Sequence, residues 1–558
     1  MSGRSLALLG AAAATVMLTI GLPARGAYTP SAEGSHLAVA TDDADATRAA
    51  LAVMRAGGNA FDGAIAASLA LGVVNPTASG LGGGGFALVY VAREHKLVAL
   101  DFRETAPAHA GPDSLVVAGK RGTTVGVIGE PAGLEWLSVH YAHKSLADDA
   151  APAAQLAQRG FLVGRHLAEV LPFVQRMVEG TPLTAELYPG GQPLAYRSTW
   201  VRPALARTIA RFGAEGAKPF YTGDIAPKIV EAARAEGSAI DAADLAAYKV
   251  RERAPLTRVV GARTIATMPA PSAGGLMLQE MLGMFGADSS SSLKAVGFES
   301  SSYFHTVAEG LRGAIADRAR FAGDPDLDPG VEAAYGRALD PKQLDARRSR
   351  IEPYKVHPSV EFKTKESGTT HLIVTDDEGN VVSLTTTVNG PFGARIVAGD
   401  TGIILNNQLD DFTAPSEVAP FGVTGPGPNR ARPGARPVSS MAPTIVLENG
   451  APILALGGSG GRRIATAVTQ AAVARLIFGL DPSACVSAPR IHTNGTSVLV
   501  DAEISEDVRA GLRLRGETVE PNPFNGSAVQ MIGWERGPGG VRVLAASDPR
   551  KYGFAAAL

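Results

Sequence analysis

Apolar residues recur at helical spacing through "TDDADATRAALAVMRAGGNAFDGAIAASLALGVVNP", and the pattern predicts two helices separated by a Gly57-Gly58 stop. Asp42 and Asp43 stand where capping acids belong, and the second helix, Ala-rich and apolar, is expected to be buried and to end before Pro76. In "GFALVYVAREHKLVALDFRE" the pattern changes to that of a hairpin of two strands. Helical spacing then dominates from about Leu146 to Glu236, punctuated by turn signals such as "YPGGQP", and continues through "DAADLAAYK". A polar Ser-rich patch at Asp288 to Ser292 precedes the helix "SSYFHTVAEGLRGAIADRARF".

From about Asp340 to Gly368 the chain is charged, basic and poor in apolar periodicity, which reads as an exposed connector. Behind it "HLIVTD" and "VVSLTTTV" flank "DEGN", a hairpin signal in which Gly379 is able to take a left-handed turn position. With a loop of Asp377 to Gly379, counting back along the ladder sets Thr369 across from Thr387. "APFGVTGPGPNRARPGARP", Ala419 to Pro437, reads as an irregular loop of the length that is usually a lid or disordered. A long apolar helix follows "GGSGG", and no internal repeat of fixed period is visible.

Composition narrows the class. The 558 residues are 45% hydrophobic and 19% charged with a formal net charge of -2, so the chain is globular and carries no global attraction for nucleic acid or an anionic membrane. The N-terminus, "MSGRSLALLGAAAATVMLTIGLPARGAYTP", has one early positive charge at Arg4, an apolar run from Leu6 to Leu22 and small residues around Ala24 to Ala27. That is the layout of a secretory signal peptide, here taken as residues 1–27, with a membrane anchor as the competing reading. The Ala and Gly content and the small residues behind the run favour cleavage, and hence a periplasmic or secreted protein. Cys485 is the only cysteine, which excludes an intrachain disulfide, and no neighbouring base marks it as a nucleophile, so a small buried residue is the preferred reading.

Candidate chemistry centres on "ESGTTHLIVTDDEGN". A threonine needs a base beside it, and cutting the peptide bond before it supplies one in its own α-amine, whose pKa of roughly 7.7 to 8.0 leaves much of it neutral. Thr369 Oγ1 attacking the Gly368 carbonyl would make that cut, with glycine leaving room for the tetrahedral geometry. Alone, Gly-Thr-Thr at the head of a strand is a common β-forming pattern. Ten histidines never form His-Glu-x-x-His, one cysteine cannot build a thiolate site, and neither "GLGGGGF" nor "GGSGGRR" continues as a phosphate-binding loop, so no metal and no cofactor is expected. Gly82 to Gly85 read instead as close backbone packing.

The segment "TTHLIVTDDEGNVVSLTTTVNGPFGARIVAGDTGIILNNQLDDF" closely resembles the γ-glutamyltranspeptidase family of N-terminal nucleophile hydrolases. The likeness continues through "GGNAFDGAIA", "LDFRETAP", "MPAPSAGG", "ADRARFAGDP", "RPVSSMAPTIV", "GGSGGRRI" and "ASDPR". It implies an α+β fold, the four-layer αββα sandwich, and self-cleavage between Gly368 and Thr369 into a large chain, 28–368, and a small chain, 369–558, that stay together as a heterodimer. It also implies that Thr369 is the nucleophile, oriented by Thr387, with Gly460 and Gly461 holding the oxyanion. Arg103 would bind the α-carboxylate of a γ-glutamyl donor, Ser439 and Ser440 would add hydroxyls, and Asn389, Gln408 and Asp411 would surround its α-ammonium. The implied reaction moves the γ-glutamyl group of glutathione or a related amide to water or to an amino acid or peptide amine.

One departure bears on the acceptor: Phe421 stands where a lid tyrosine is usual, and a phenyl ring lacks the phenolic hydrogen bond that would pin the lid. The same scaffold resembles cephalosporin acylases and poly-γ-glutamate processing enzymes, and an unprocessed periplasmic binding protein is the reading from another class. Arg103 with Asp411 favours a free γ-glutamyl head group, and Gly368, Thr369, Thr387 and the glycine pair argue against a binding protein.

Overall fold

The computed structural model describes residues 30–111, 117–359, 368–413, 427–522 and 526–558. The expected signal peptide, 1–27, and the lid residue Phe421 lie outside the described residues. Two seven-stranded sheets form the centre. Their strands are β1 (Ala32–Gly34), β2 (Ala38–Thr41), β3 (Gly84–Val91), β4 (Lys96–Phe102), β5 (Arg251–Arg253), β6 (Leu256–Val260) and β7 (Arg263–Thr267). After the connector come β8 (Thr370–Thr375), β9 (Val381–Thr387), β10 (Thr444–Glu448), β11 (Ala451–Ser459), β12 (Ala528–Gly537), β13 (Gly540–Ser547) and β14 (Phe554–Ala557).

One sheet runs β14-β2-β8-β9-β3-β4-β5 and the other β1-β13-β12-β11-β10-β7-β6, with every pair antiparallel. Alternation sorts the first sheet's side chains. Leu372 and Val374 share a core with α1 (Ala44–Arg55) and α2 (Ala60–Val74), whereas Ile373 joins the core between the sheets. That second core also takes α3 (Ala273–Phe285), α4 (Ser301–Phe321) and α6 (Arg463–Leu476), which cover the far side. The architecture is therefore helices, sheet, sheet, helices, the α+β sandwich that the motifs implied.

The sheets touch closely where the nucleophile strand passes. A Cβ on Gly457 would stand 2.2 Å from the His371 ring, so only glycine lets β11 approach β8 there. Burial drives the His371 pKa down to about 3, and its Nδ1 is bonded to Thr385 Oγ1 at 2.8 Å, so this imidazole is a neutral packing group. Gly82, Gly83 and Gly85 are crowded in the same way, a Cβ on each falling 2.0–2.2 Å from the carbonyl oxygens of Ile404, Thr387 and Thr385.

Three local readings change. Asp43 caps α1 by accepting from Asp45 N–H at 2.8 Å, but Asp42 is buried and serves another network described below. The helical stretch from Leu146 to Glu236 contains a small two-stranded antiparallel sheet, Phe161–Leu162 against Thr199–Trp200. The connector holds α5 (Pro341–Arg348), and residues beyond it are clasped to α4. There His357 Nδ1 meets Glu309 Oε2 at 2.7 Å, and His305 Nε2 meets Glu352 O at 2.9 Å. Polar contacts hold this segment, so apolar periodicity does not reveal it.

Cys485 is 1% exposed, and burial pushes its thiol up to about 12. The native protein is therefore expected to ignore a thiol reagent at neutral pH and to react with one equivalent once unfolded in denaturant. Rapid labelling of the native chain would show that the thiol is accessible.

Candidate active site

The hairpin runs as the count required: Thr370 pairs with Thr386 and Thr375 with Val381, which leaves Thr369 opposite Thr387 at the open end. Gly379 takes its turn at φ 87°. The two threonine hydroxyls lie 3.3 Å apart. Thr387 Oγ1 donates to the Gly368 carbonyl at 2.7 Å, and the Thr369 hydroxyl donates to that same carbonyl. Asn389 N–H donates to Thr387 Oγ1 at 2.8 Å, which holds the hydroxyl in place.

Both hydroxyls thus converge on the Gly368 carbonyl, the one at which the family resemblance implies a cut. A proton donor aimed at its oxygen stabilises the negative charge that attack on the carbon creates. The preceding glycine has a tertiary reason as well: a Cβ on Gly368 would sit 2.7 Å from Asn389 O and 2.8 Å from Thr77 O. Replacing Thr387 by Ala is expected to slow self-cleavage by about 10- to 100-fold, the loss of one such donor being on the order of 2 kcal/mol. The rate at which the precursor band disappears measures it, and unchanged cleavage would mean that Thr387 is only a strand former.

Arg103 projects from the end of β4, with its side chain 2% exposed. Its Nη2 donates to Asp411 Oδ2 at 2.7 Å and to Val438 O at 2.9 Å, and its Nε donates to Pro437 O at 3.1 Å. Asp411 closes a short helical turn, Gln408–Asp411, so Gln408 Nε2 reaches the same carboxylate oxygen at 2.5 Å. Asn389 Nδ2 donates to Asn407 O at 3.1 Å. A path of hydrogen bonds and consecutive residues therefore runs from Thr387 through Asn389, Asn407 and Gln408 to Asp411 and Arg103. Of the expected α-ammonium set, Gln408 donates to the Asp411 carboxylate, which it shares with Arg103, while Asn389 mainly orders the loop behind Thr387.

The serines come from a different wall. Ser439 N–H donates to Pro271 O at 3.1 Å, and Ala273 N–H donates to Ser439 O at 2.8 Å. A Cβ on Gly274 would stand 2.2 Å from Ser440 O, so the "PSAGG" glycine is what admits the serine segment. Gly460 and Gly461 join β11 to α6 at φ 118° and 60°, a left-handed pair that turns the chain at the head of that helix.

Three groups escaped the motif reading. Lys551, buried, gives its Nζ to Thr369 O at 3.1 Å and to Ser459 Oγ at 2.7 Å, and burial lowers its pKa. Asp42 accepts from Gln530 Nε2 at 2.6 Å and from His371 N–H at 3.3 Å; burial raises its pKa while Lys551 opposes that rise. Glu104, next to Arg103, is pushed up to about 8 by burial against the pull of the guanidinium, so it is largely neutral at pH 7. Only the adjacency of Lys551 to "ASDPR" and of Glu104 to Arg103 could have drawn attention to them.

Comparison with known proteins follows the same lines. A family model described as gamma-glutamyltranspeptidase matches residues 46–558. Glutathione hydrolase 2 of Arabidopsis thaliana is 35% identical over 550 residues, covering 93% of each chain. The glutathione hydrolase proenzyme of Escherichia coli strain K12 is 34% identical over 538 residues, 92% of this chain and 90% of its own. Among solved structures, cephalosporin acylase from Bacillus halodurans superposes with a TM-score of 0.82 at 24% identity, covering 95% of this chain and 97% of that one, which speaks for the fold. The Helicobacter pylori γ-glutamyltranspeptidase structure gives a TM-score of 0.53 at 31% identity, covering 56% of this chain and 91% of that one.

Proposed function

The chain belongs to the γ-glutamyltranspeptidase family, and from that premise we propose that it is a self-cleaving γ-glutamyltransferase and glutathione hydrolase with Thr369 as its nucleophile. In the precursor, Thr369 Oγ1 attacks the Gly368 carbonyl carbon while Thr387 donates to the carbonyl oxygen. The C–N bond breaks, the acyl group moves to oxygen as an ester, and the hydroxyl proton goes to the departing nitrogen. Water then releases the large chain, 28–368, from the small chain, 369–558, whose new α-amine is the base for turnover.

In turnover the donor's α-carboxylate takes Arg103, and its α-ammonium takes Asp411, so the Arg103–Asp411 ion pair is exchanged for two pairs with substrate. Ser439 and Ser440 add hydroxyls to the carboxylate. Thr369 attacks the γ-carbonyl, the N–H groups of Gly460 and Gly461 hold the oxyanion, and the α-amine passes the proton to the leaving amine. Water or an acceptor amine then opens the ester. Export, removal of residues 1–27 and a heterodimer of the two products belong to the same proposal. Among the described residues, no helix is long and apolar enough to cross a membrane.

The observation that carries the reading is the connection of the Thr369–Thr387 pair to the buried Arg103–Asp411 pair. Such a charge pair suits a zwitterionic head group, which offers each partner a counter-charge, whereas an acyl group without one offers neither. The test is incubation of the purified protein with γ-glutamyl p-nitroanilide and glutathione, with product analysis and N-terminal sequencing. Release of p-nitroaniline and glutamate from a protein containing a chain that begins Thr-Thr-His-Leu supports the proposal. A cut protein that leaves these donors intact but deacylates a cephalosporin would reassign the substrate.

A further inference from the structure

The two serine hydroxyls expected at the donor carboxylate are both held from behind. Ser439 Oγ accepts from Met441 N–H at 3.1 Å, and Ser440 Oγ accepts from Arg318 Nη1 at 2.6 Å. A hydroxyl has one proton and two lone pairs, so a hydroxyl that is already accepting keeps its proton to give elsewhere. The donors differ in kind: Ser439 is held by a neutral backbone amide two residues along its own segment. Ser440 is held by a cation 122 positions away, on the last turn of α4.

Arg318 and Ser440 are 6% and 1% exposed, so their contact is shielded from solvent. The main chain around Ser440 is already fixed without Arg318. Ser439 is held by Pro271 and Ala273, and Ser272 Oγ donates to Met441 O at 2.6 Å. Arg318 therefore acts on the direction of one hydroxyl more than on the position of its backbone.

We propose that Arg318 is a specificity-determining, positioning residue that acts through Ser440, turning its O–H toward the donor's α-carboxylate and strengthening it as a hydrogen-bond donor. This rests on the function proposed above. A hydroxyl that accepts from a cation is polarised and gives a stronger hydrogen bond in turn. Arg103 then meets the carboxylate directly, and a second positive charge reaches it through one hydroxyl. The arrangement favours donors that carry an α-carboxylate over those that lack it.

The test compares the wild type, Arg318→Gln, Ser440→Ala and the double variant on γ-glutamyl p-nitroanilide and on γ-aminobutyryl p-nitroanilide, which lacks the α-carboxylate. Arg318→Gln is expected to raise KM for the γ-glutamyl donor about 10-fold or more, the scale of a hydrogen bond to a charged group. The effect on kcat should be several times smaller, as should the loss on the decarboxylated analogue. In the Ser440→Ala background, Arg318→Gln should add less than about 2-fold, because coupled residues are not additive. Arg318→Lys keeps the charge but not the planar fork; it should recover part of the KM effect, and it replaces Arg318→Gln if that variant does not fold.

Equal losses on both donors, additive losses with Ser440→Ala, or an unchanged KM would each overturn the inference. A wild type that is uncut or inactive on the γ-glutamyl donor would overturn the functional reading and this inference together. A wild type that is cut and active, with additive losses in the variants, would overturn this inference alone.

Discussion

A chain carrying Thr369→Ala is expected to migrate as a single band of full-length mass and to release no product from a γ-glutamyl amide. The substitution removes the hydroxyl that meets the Gly368 carbonyl and leaves Thr387 3.3 Å from the position it held, with no nucleophile to orient. Two losses follow from one change, because in the proposed mechanism the same oxygen makes the cut and later carries the acyl group. Removing a nucleophile costs roughly 10⁴- to 10⁶-fold in turnover, which is beyond detection for an ordinary preparation. Thr369→Ser keeps the oxygen and loses the methyl that restricts its rotamer, so it should cut slowly and then turn over. Intact mass before and after incubation, with a p-nitroaniline assay, reads both. Processing or activity in the alanine variant would sink the assignment of Thr369.

The second large effect is expected at Arg103. Its guanidinium and the Asp411 carboxylate are each 2% exposed at the side chain, and removing one partner of a buried ion pair costs about 3–5 kcal/mol because the other charge stays desolvated. Arg103→Gln should therefore lower the melting temperature and, by removing the carboxylate's direct partner, reduce kcat/KM on the γ-glutamyl donor by about 100-fold or more. The two effects separate in the double variant Arg103→Gln/Asp411→Asn, where neither charge remains. Stability should return toward the wild type while activity stays lost. Calorimetry and steady-state kinetics on the same samples decide it. Recovery of activity together with stability would mean that the pair holds the fold and does not bind substrate.

Much of the site could be read before any coordinates. The Thr369–Thr387 pairing came from counting residues across "DEGN", because an antiparallel ladder with a short turn fixes each partner once the turn is placed. The αββα layering came from family motifs, since periodicity alone marks a helix or a strand and not which sheet it enters. The glycines of "GLGGGGF" were legible as packing residues, and the structure adds what they pack against, the carbonyls of Thr385, Thr387 and Ile404. The polarity of the connector is visible in the sequence, but the His357–Glu309 contact that clasps it depends on α4 being beside it. Asp42 misled for the same reason, since a capping acid and a buried network acid look identical in a string of residues.

What the sequence by itself determined are relations among near neighbours: the hairpin and its register, the caps and glycine turns, and the motif set that identifies the family. Local propensity and residue spacing set these, and both act over a few positions. What only the tertiary structure decided are the partners of buried polar groups. Lys551 meets Thr369 from 182 positions away, and Arg318 meets Ser440 from 122. Such pairs form because a charge taken out of water must find a counterpart within about 3 Å, and which counterpart is there depends on how the two sheets and their helices close over it. The raised carboxyl of Glu104 belongs to the same class, since burial sets it and burial is a property of the assembled layers.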